Sequence, residues 1–263
     1  MAVSDVIGSK TVYWHASLTL RSTSDMPYSI ETIAIARSPF REKFAIPRQP
    51  GLAPSVRTCI ELQPPFDDPA ALEGLAGITH VWLLFLFHAV GARNDSLRVR
   101  PPRLGGNERL GVFATRSTHR PNGIGQSLVK VERIEGSRLW VSGADLLDGT
   151  PVIDIKPYVP YSDCPPGAVN PIAPAAPALL RVEWTETAQQ QADEHSLRLN
   201  EPVKQVIAEC LAQDPRPAYQ QHDAAREYGV NLWDLNVRWH YPTQDSISVL
   251  NLTRNSADSQ AID

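Results

Sequence analysis

A seven-residue apolar run, VWLLFLF at residues 81–87, is the tightest constraint on how this chain folds. It is far too short to cross a membrane as a helix, and polar and turn residues bound it. Such a run predicts a central strand covered on both faces. In an extended chain Trp82, Leu84, Leu86 and His88 share one face, while Val81, Leu83, Phe85 and Phe87 share the other. Further short apolar segments lie at residues 110–115, 127–134, 139–144 and 152–155. The gaps between them rarely leave room for a crossover helix, so the spacing predicts a mostly antiparallel β-barrel or sandwich and not a doubly wound sheet. Ile33 and Ile35 alternate with small residues as a first strand would, and Asp68 and Pro69 open a short helix with Leu72 and Leu75 on its apolar face.

The second half reads differently. Five prolines among small residues make residues 163–177 a linker. Residues 179–184 suit a strand. Asn200 can cap a helix whose apolar positions Val203, Val206, Ile207, Cys210 and Leu211 keep helical spacing until Asp214-Pro215 stops it. Val237, Trp239 and Tyr241 alternate, residues 242–245 can turn, and Ile247 and Val249 alternate again, which predicts a terminal hairpin. The expected fold is therefore mainly β, with an N-terminal β-barrel and a small C-terminal α+β domain. Residues 1–27 form an extension, 28–168 the barrel, and 169–263 the linker and second domain. Met26 is an alternative start, with the preceding segment an appendage.

The chain is 42% hydrophobic and 21% charged, ordinary globular material and not a disordered or coiled-coil chain. Its 25 basic and 29 acidic residues leave −4, which excludes a wholly basic nucleic-acid-coating protein. Locally the balance reverses. Residues 93–120 carry arginines 93, 98, 100, 103, 109, 116 and 120 against Asp95 and Glu108, and residues 37–57 carry five basic groups against Glu42. Residues 183–201 hold five acids against Arg198. A segregated arginine surface favours an anionic partner such as RNA; a solvated polar rim is the alternative. Glycines are dense at 105, 106, 111, 123 and 125, without a dinucleotide fingerprint or a P-loop lysine, and Gly105-Gly106 and Asn122-Gly123 read as tight turns. Neither a metalloprotease HExxH nor a GxSxG elbow occurs. Cys59, Cys164 and Cys210 have no paired spacing, so neither disulfides nor a thiolate metal site is expected. With no signal-peptide pattern in residues 1–24, the cytoplasm is the expected compartment.

Three places could carry chemistry. Asp145, Asp148 and Asp154 surround the Asp148-Gly149 turn and suit either ribose and cation contacts or Asx turns, with Lys156 able to pair with any of them. His88 ends the apolar strand, either bonded to backbone or facing a ligand at a barrel mouth. DPRPAY, residues 214–219, is either a helix stop with a local salt bridge or a rigid active-site or RNA-contact loop, with Tyr219 able to stack on a base.

The motifs PRQPG, THVWLLFLFH, RPPRLGG, RLGVFATRSTHRPNGIG, DLLDGTPVIDIKPY and DPRPAY occur in one order. Together, from about Tyr28 to Leu252, they resemble the TrmO/YaeB (TsaA-like) family of S-adenosylmethionine-dependent tRNA methyltransferases. The resemblance implies a TsaA-like barrel that binds S-adenosyl-L-methionine without a Rossmann fold, a homodimer, and no metal. It implies methylation of N6-threonylcarbamoyladenosine at position 37, beside the anticodon of threonine tRNA. Carried over, the cofactor contacts are Pro50, Gly51, Leu52, His88, Ala89, Arg116, Gln126, Asp145, Leu146, Leu147 and Asp148. The substrate-site residues are Asp214, Arg216 and Tyr219, with Asp214 a proton acceptor or an orienter of Arg216. Gly123 stands where the family pattern has proline, which implies a more mobile loop. A noncatalytic RNA- or nucleotide-binding barrel using the same loops is the alternative function, and a hydrolase is a distant third.

Overall fold

The computed structural model describes residues 29–91, 97–100, 109–216, 220 and 222–255. Met26, Arg93, Arg103, Gly105, Gly106 and Tyr219 lie outside the described residues. The first half contains β1 (Ala34–Arg37), β2 (Arg57–Leu62), β3 (His80–Leu86), β4 (Arg98–Val99), β5 (Leu110–Gly111), β6 (Ile124–Glu135), β7 (Arg138–Ser142) and β8 (Thr150–Pro157). Six of these close into a barrel in the order β1-β2-β7-β6-β3-β8, every neighbour antiparallel. Closure leaves no unpaired strand edge in this sheet. The 81–87 run supplies the centre of the wall, with Val81, Leu83 and Phe85 pointing inward.

Three local expectations change. In β1 the buried residues are Ala34 and Ala36, while Ile33 and Ile35 are only half-buried. A six-stranded lumen is narrow, so alanine on one wall leaves volume for Leu83, Phe85 and Leu139 on the others. The expected strand at 110–115 is only two residues long, because the chain turns into a 3-10 helix at Val112–Ala114 and pairs with β4 as a separate ribbon. Likewise Gly74, at φ 86°, splits the turn after Asp68 into two 3-10 pieces, Pro69–Leu72 and Leu75–Gly77.

A short helix, α1 (Pro160–Asp163), leads into the proline-rich linker. The C-terminal part contains β9 (Arg181–Trp184), α2 (Glu186–Leu199), α3 (Val203–Ala212), β10 (Glu227–Leu232), β11 (Leu235–Thr243) and β12 (Ser246–Arg254). Its sheet runs β10-β11-β12-β9, with β9 parallel to β12 and the expected β11–β12 hairpin antiparallel. Asn200 does not start α3. It ends α2 in a left-handed conformation at φ 53°, a short-polar-residue role common at helix C-termini. Sequence periodicity misses α2 because its buried face is Ala188, Ala192 and His195, too small and polar to form an apolar stripe.

The two halves share a core. Phe40, Ala45, Ala53 and Val56, all from the loop between β1 and β2, pack with Val206, Leu211, Leu235 and Trp239 of the C-terminal part. Phe44 stacks on Trp239 with ring centroids 5.9 Å apart. The Trp233 amide donates to the Pro39 carbonyl at 2.7 Å.

Candidate active site

Three loops converge beside the barrel. The Gly51 amide donates to the Gly143 carbonyl at 2.8 Å, and the Gly143 amide donates to the Val56 carbonyl at 3.0 Å. Gly51 and Gly143 both have positive φ (78° and 73°), and a Cβ on Gly143 would lie 3.3 Å from Gly51 Cα. Glycine is therefore what lets the two backbones approach. Arg116 Nη1 donates to Gln49 Oε1 at 2.8 Å, so the arginine is tied to the residue just before Pro50.

Two residues beyond Gly143, Asp145 Oδ1 accepts a short 2.5 Å hydrogen bond from Ser127 Oγ of β6. Burial pushes this carboxyl up to about 6, against the opposing pull of Ser127 and the Arg116 charge. A cation placed beside it would restore full ionisation. Ser127, buried on the inner face of β6, escaped the sequence reading. Strand alternation through Gly125, Ser127 and Val129 is the signal that exposes it. Gln126, by the same alternation, is exposed on the outer face and is not brought against Asp145.

The rest of the 145–148 turn is engaged in structure. Asp148 Oδ1 accepts from the Ser38 amide at 3.0 Å and Oδ2 pairs with Arg41 Nη1 at 2.6 Å. The Leu146 carbonyl accepts from Ser38 Oγ at 2.7 Å. The Leu146 side chain fills the barrel core, and Leu147 packs on the second core. Asp154 pairs with Lys156 at 2.7 Å. His88 follows β3, its amide bonded to the Leu86 carbonyl at 2.9 Å, with Ala89 next in the turn. Burial, then the Lys43 charge, lowers the His88 pKa, with Asp148 opposing, which favours the neutral imidazole.

On the C-terminal side the residues after α3 form a compact pair. Asp214, at φ 52°, accepts on Oδ1 from Arg216 Nε at 2.8 Å and from Tyr241 OH at 3.2 Å. Its Oδ2 accepts from Arg216 Nη2 at 3.1 Å, which also donates to the Gln244 carbonyl at 3.1 Å. The guanidinium lies 3.8 Å from the Tyr241 ring centroid, and Arg216 is only 9% exposed. This geometry suits a carboxylate that fixes an arginine. Tyr241, also missed by the sequence reading, is the floor of the pair.

A direct link joins the two groups of residues. Gln213 Nε2 donates to the Leu52 carbonyl at 3.2 Å and to the Glu209 carbonyl at 3.0 Å. Next to it, the Ser55 amide and hydroxyl donate to the Glu209 carboxylate at 2.9 and 2.7 Å. Arg98, Arg100, Arg109 and Arg116 are exposed, as is Phe113 at 76%. Among the described residues no group of three or more His, Cys, Asp or Glu could hold a metal ion, and no helix is long and apolar enough to cross a membrane.

A carboxyl for a cation, an arginine for an anion and a glycine-rich approach between them fit S-adenosylmethionine, which carries a sulfonium, an ammonium and a carboxylate. Comparison with known proteins agrees. Residues 35–164 match the tRNA-methyltransferase O N-terminal domain, and residues 177–255 match the TrmO C-terminal domain. A tRNA (adenine(37)-N6)-methyltransferase of Escherichia coli is 44% identical over 221 residues, 81% of this chain and 92% of that protein. RcsF of Pseudomonas aeruginosa, named as a candidate S-adenosylmethionine-dependent methyltransferase, is 61% identical over 227 residues, 86% of this chain and 98% of that one. The crystal structure of TrmO from Pseudomonas aeruginosa superposes with a TM-score of 0.76 at 55% identity, covering 87% of this chain and 99% of that one.

Proposed function

Because this chain belongs to the tRNA-methyltransferase O family and is an S-adenosylmethionine-dependent tRNA (adenine(37)-N6)-methyltransferase, we propose that its acceptor is N6-threonylcarbamoyladenosine in threonine tRNA. We place the reaction in the cytoplasm, with a homodimer as the working form. The single observation that carries the site reading is the hydrogen-bonded continuity from Asp145 and Gly143 through Gly51 and Leu52 to Gln213 and Asp214.

Bound S-adenosylmethionine supplies an electrophilic methyl group on a cationic sulfur. Residues 50–52, His88 and Ala89 line its place, and Asp145, held by Ser127, balances positive charge there. Arg116, anchored on Gln49, takes a carboxylate. Gln126, exposed on the outer face of β6, stands apart from this set, and residues 146–148 would act through backbone. Arg216 orients the acceptor's carboxylate, and Tyr219 contacts the nucleoside. Asp214 acts by holding Arg216, since three donors already converge on its Oδ1.

The acceptor nitrogen is conjugated to the purine and to a carbonyl, so its lone pair is poor; its proton would pass to water as the new N–C bond formed and the donor's methyl–sulfur bond broke. A positive rim lowers the free energy of transient negative charge on that nitrogen, and fixed loops supply alignment. Exposed Leu97 and Phe113 offer an apolar contact to a second copy. Sedimentation velocity tests this: a dimer is expected, and Phe113→Ser should weaken it.

The decisive assay mixes the protein, S-adenosylmethionine and threonine tRNA with or without the threonylcarbamoyl group, followed by nucleoside mass spectrometry. A 14-dalton gain, about one methylene, is expected only on the modified nucleoside. Binding without mass gain would instead favour a noncatalytic barrel.

A further inference from the structure

We propose that Gln213 is a positioning residue that couples occupancy of the cofactor loop to the arginine of the acceptor side. The inference rests on the functional reading above but concerns a residue outside the motifs that led to it. Gln213 ends α3 and is 6% exposed. One amide group touches two backbones at once: its Nε2 donates to the carbonyl of Leu52 and to that of Glu209 one turn back in its own helix. Leu52 directly follows Gly51, which is bonded to Gly143, two residues before Asp145. Asp214 directly follows Gln213 and grips Arg216 through both oxygens. The other polar side chain of this helix that meets the loop, Glu209, holds Ser55, three residues further along.

The two contacts of α3 therefore divide the work. The Ser55–Glu209 clasp holds the loop to the helix. The Gln213 amide fixes where the Leu52 carbonyl stands relative to the start of the Asp214-Arg216 turn, and that turn is already constrained by its left-handed Asp214. A ligand that orders residues 50–52 then also orders the arginine pair, and by linkage tRNA must tighten the cofactor by the same factor.

The test measures binding and not turnover. Affinity for threonylcarbamoylated tRNA is determined with and without saturating S-adenosylhomocysteine, the demethylated cofactor, in the full-length protein. The unchanged protein is expected to bind tRNA about fivefold or more tightly with the thioether present. In Gln213→Glu, which keeps the shape but cannot donate from a carboxylate, that factor should fall to about one, while each ligand still binds alone. Gln213→Met is the second variant, in case repulsion in the first prevents folding. Ser55→Ala should lower the melting temperature and leave the factor in place. Independent binding of the two ligands by the unchanged protein would overturn the proposal, as would coupling that persists in both Gln213 variants or disappears in Ser55→Ala. Failure of the unchanged protein to bind either ligand would overturn the functional reading itself, and so the two failures are distinguishable.

Discussion

Asp145 shows what a single buried carboxyl does to a site. Its pKa in the fold, about 6, lies above the ordinary value of 3.8 because burial disfavours the charge. The sign follows from this. Its contribution to stability is fully present below about pH 4 and is lost as pH rises through about 6. A bound cation reverses the preference, so S-adenosylmethionine affinity should weaken by up to about tenfold per pH unit below pH 6. Calorimetric titration between pH 5 and 8 measures it, and Asp145→Asn should flatten the profile while raising the melting temperature of the free protein at pH 7.5. Asp214 predicts the opposite kind of behaviour. Removing it leaves Arg216 without its main partner in a site 9% exposed, so Asp214→Ala should cost about 3 kcal/mol in denaturant unfolding. Asp214→Asn should lower single-turnover rate without removing an ascending limb from the pH profile; loss of that limb would mean that Asp214 takes the proton.

At the scale of elements, the turn before β6 rests on two consecutive left-handed residues. Asn122 and Gly123 both adopt positive φ, 67° and 61°. The Gly123 amide donates to the Arg120 carbonyl at 3.2 Å, and its carbonyl accepts from Phe87 at 2.8 Å. Proline fixes φ near −65° and has no N–H. Gly123→Pro should therefore destabilise by about 2 kcal/mol or more, and Gly123→Ala by about 1 kcal/mol, both read from chemical denaturation. Two residues on, a Cβ at Gly125 would collide with the Phe85 ring, so Gly125→Ala should cost about 1–3 kcal/mol through displacement of the Phe85–Phe87 pair. These elements also show what was legible in advance. Period-two patterns in β3, β6 and the β11–β12 hairpin were readable because large apolar residues mark the buried face. The inward face of β1 was not, since alanines fill it, and neither was α2, whose packing relies on Ala188 and Ala192. At the site, residues 50–52 and 145–148 could be carried over from motifs. Ser127, Tyr241 and Gln213 could not, because each works through a partner more than 15 residues away in the chain, and Gln49, though inside PRQPG, shows its part only through Arg116.

For the whole molecule, the charge distribution predicts how tRNA arrives. The arginines at 98, 109 and 116 stand on one exposed ribbon and loop, while the chain as a whole is −4. Binding should fall steeply with salt, and Arg98→Ala with Arg109→Ala should reduce the magnitude of the log–log slope by about 0.7–0.9 per arginine removed. Filter binding between 50 and 300 mM salt, on the order of the range where such slopes are read, measures it. The shared core has a further bearing. Phe40, Phe44, Ala53 and Val56 belong by chain position to the barrel but by packing to the C-terminal sheet. Anyone building hybrids between relatives would therefore need to transplant two distant stretches together, residues 38–56 with 177–255. Exchanging the tail alone would seat a foreign sheet on native aromatic rings shaped for another, and evolution faces the same restriction whenever it recombines these genes.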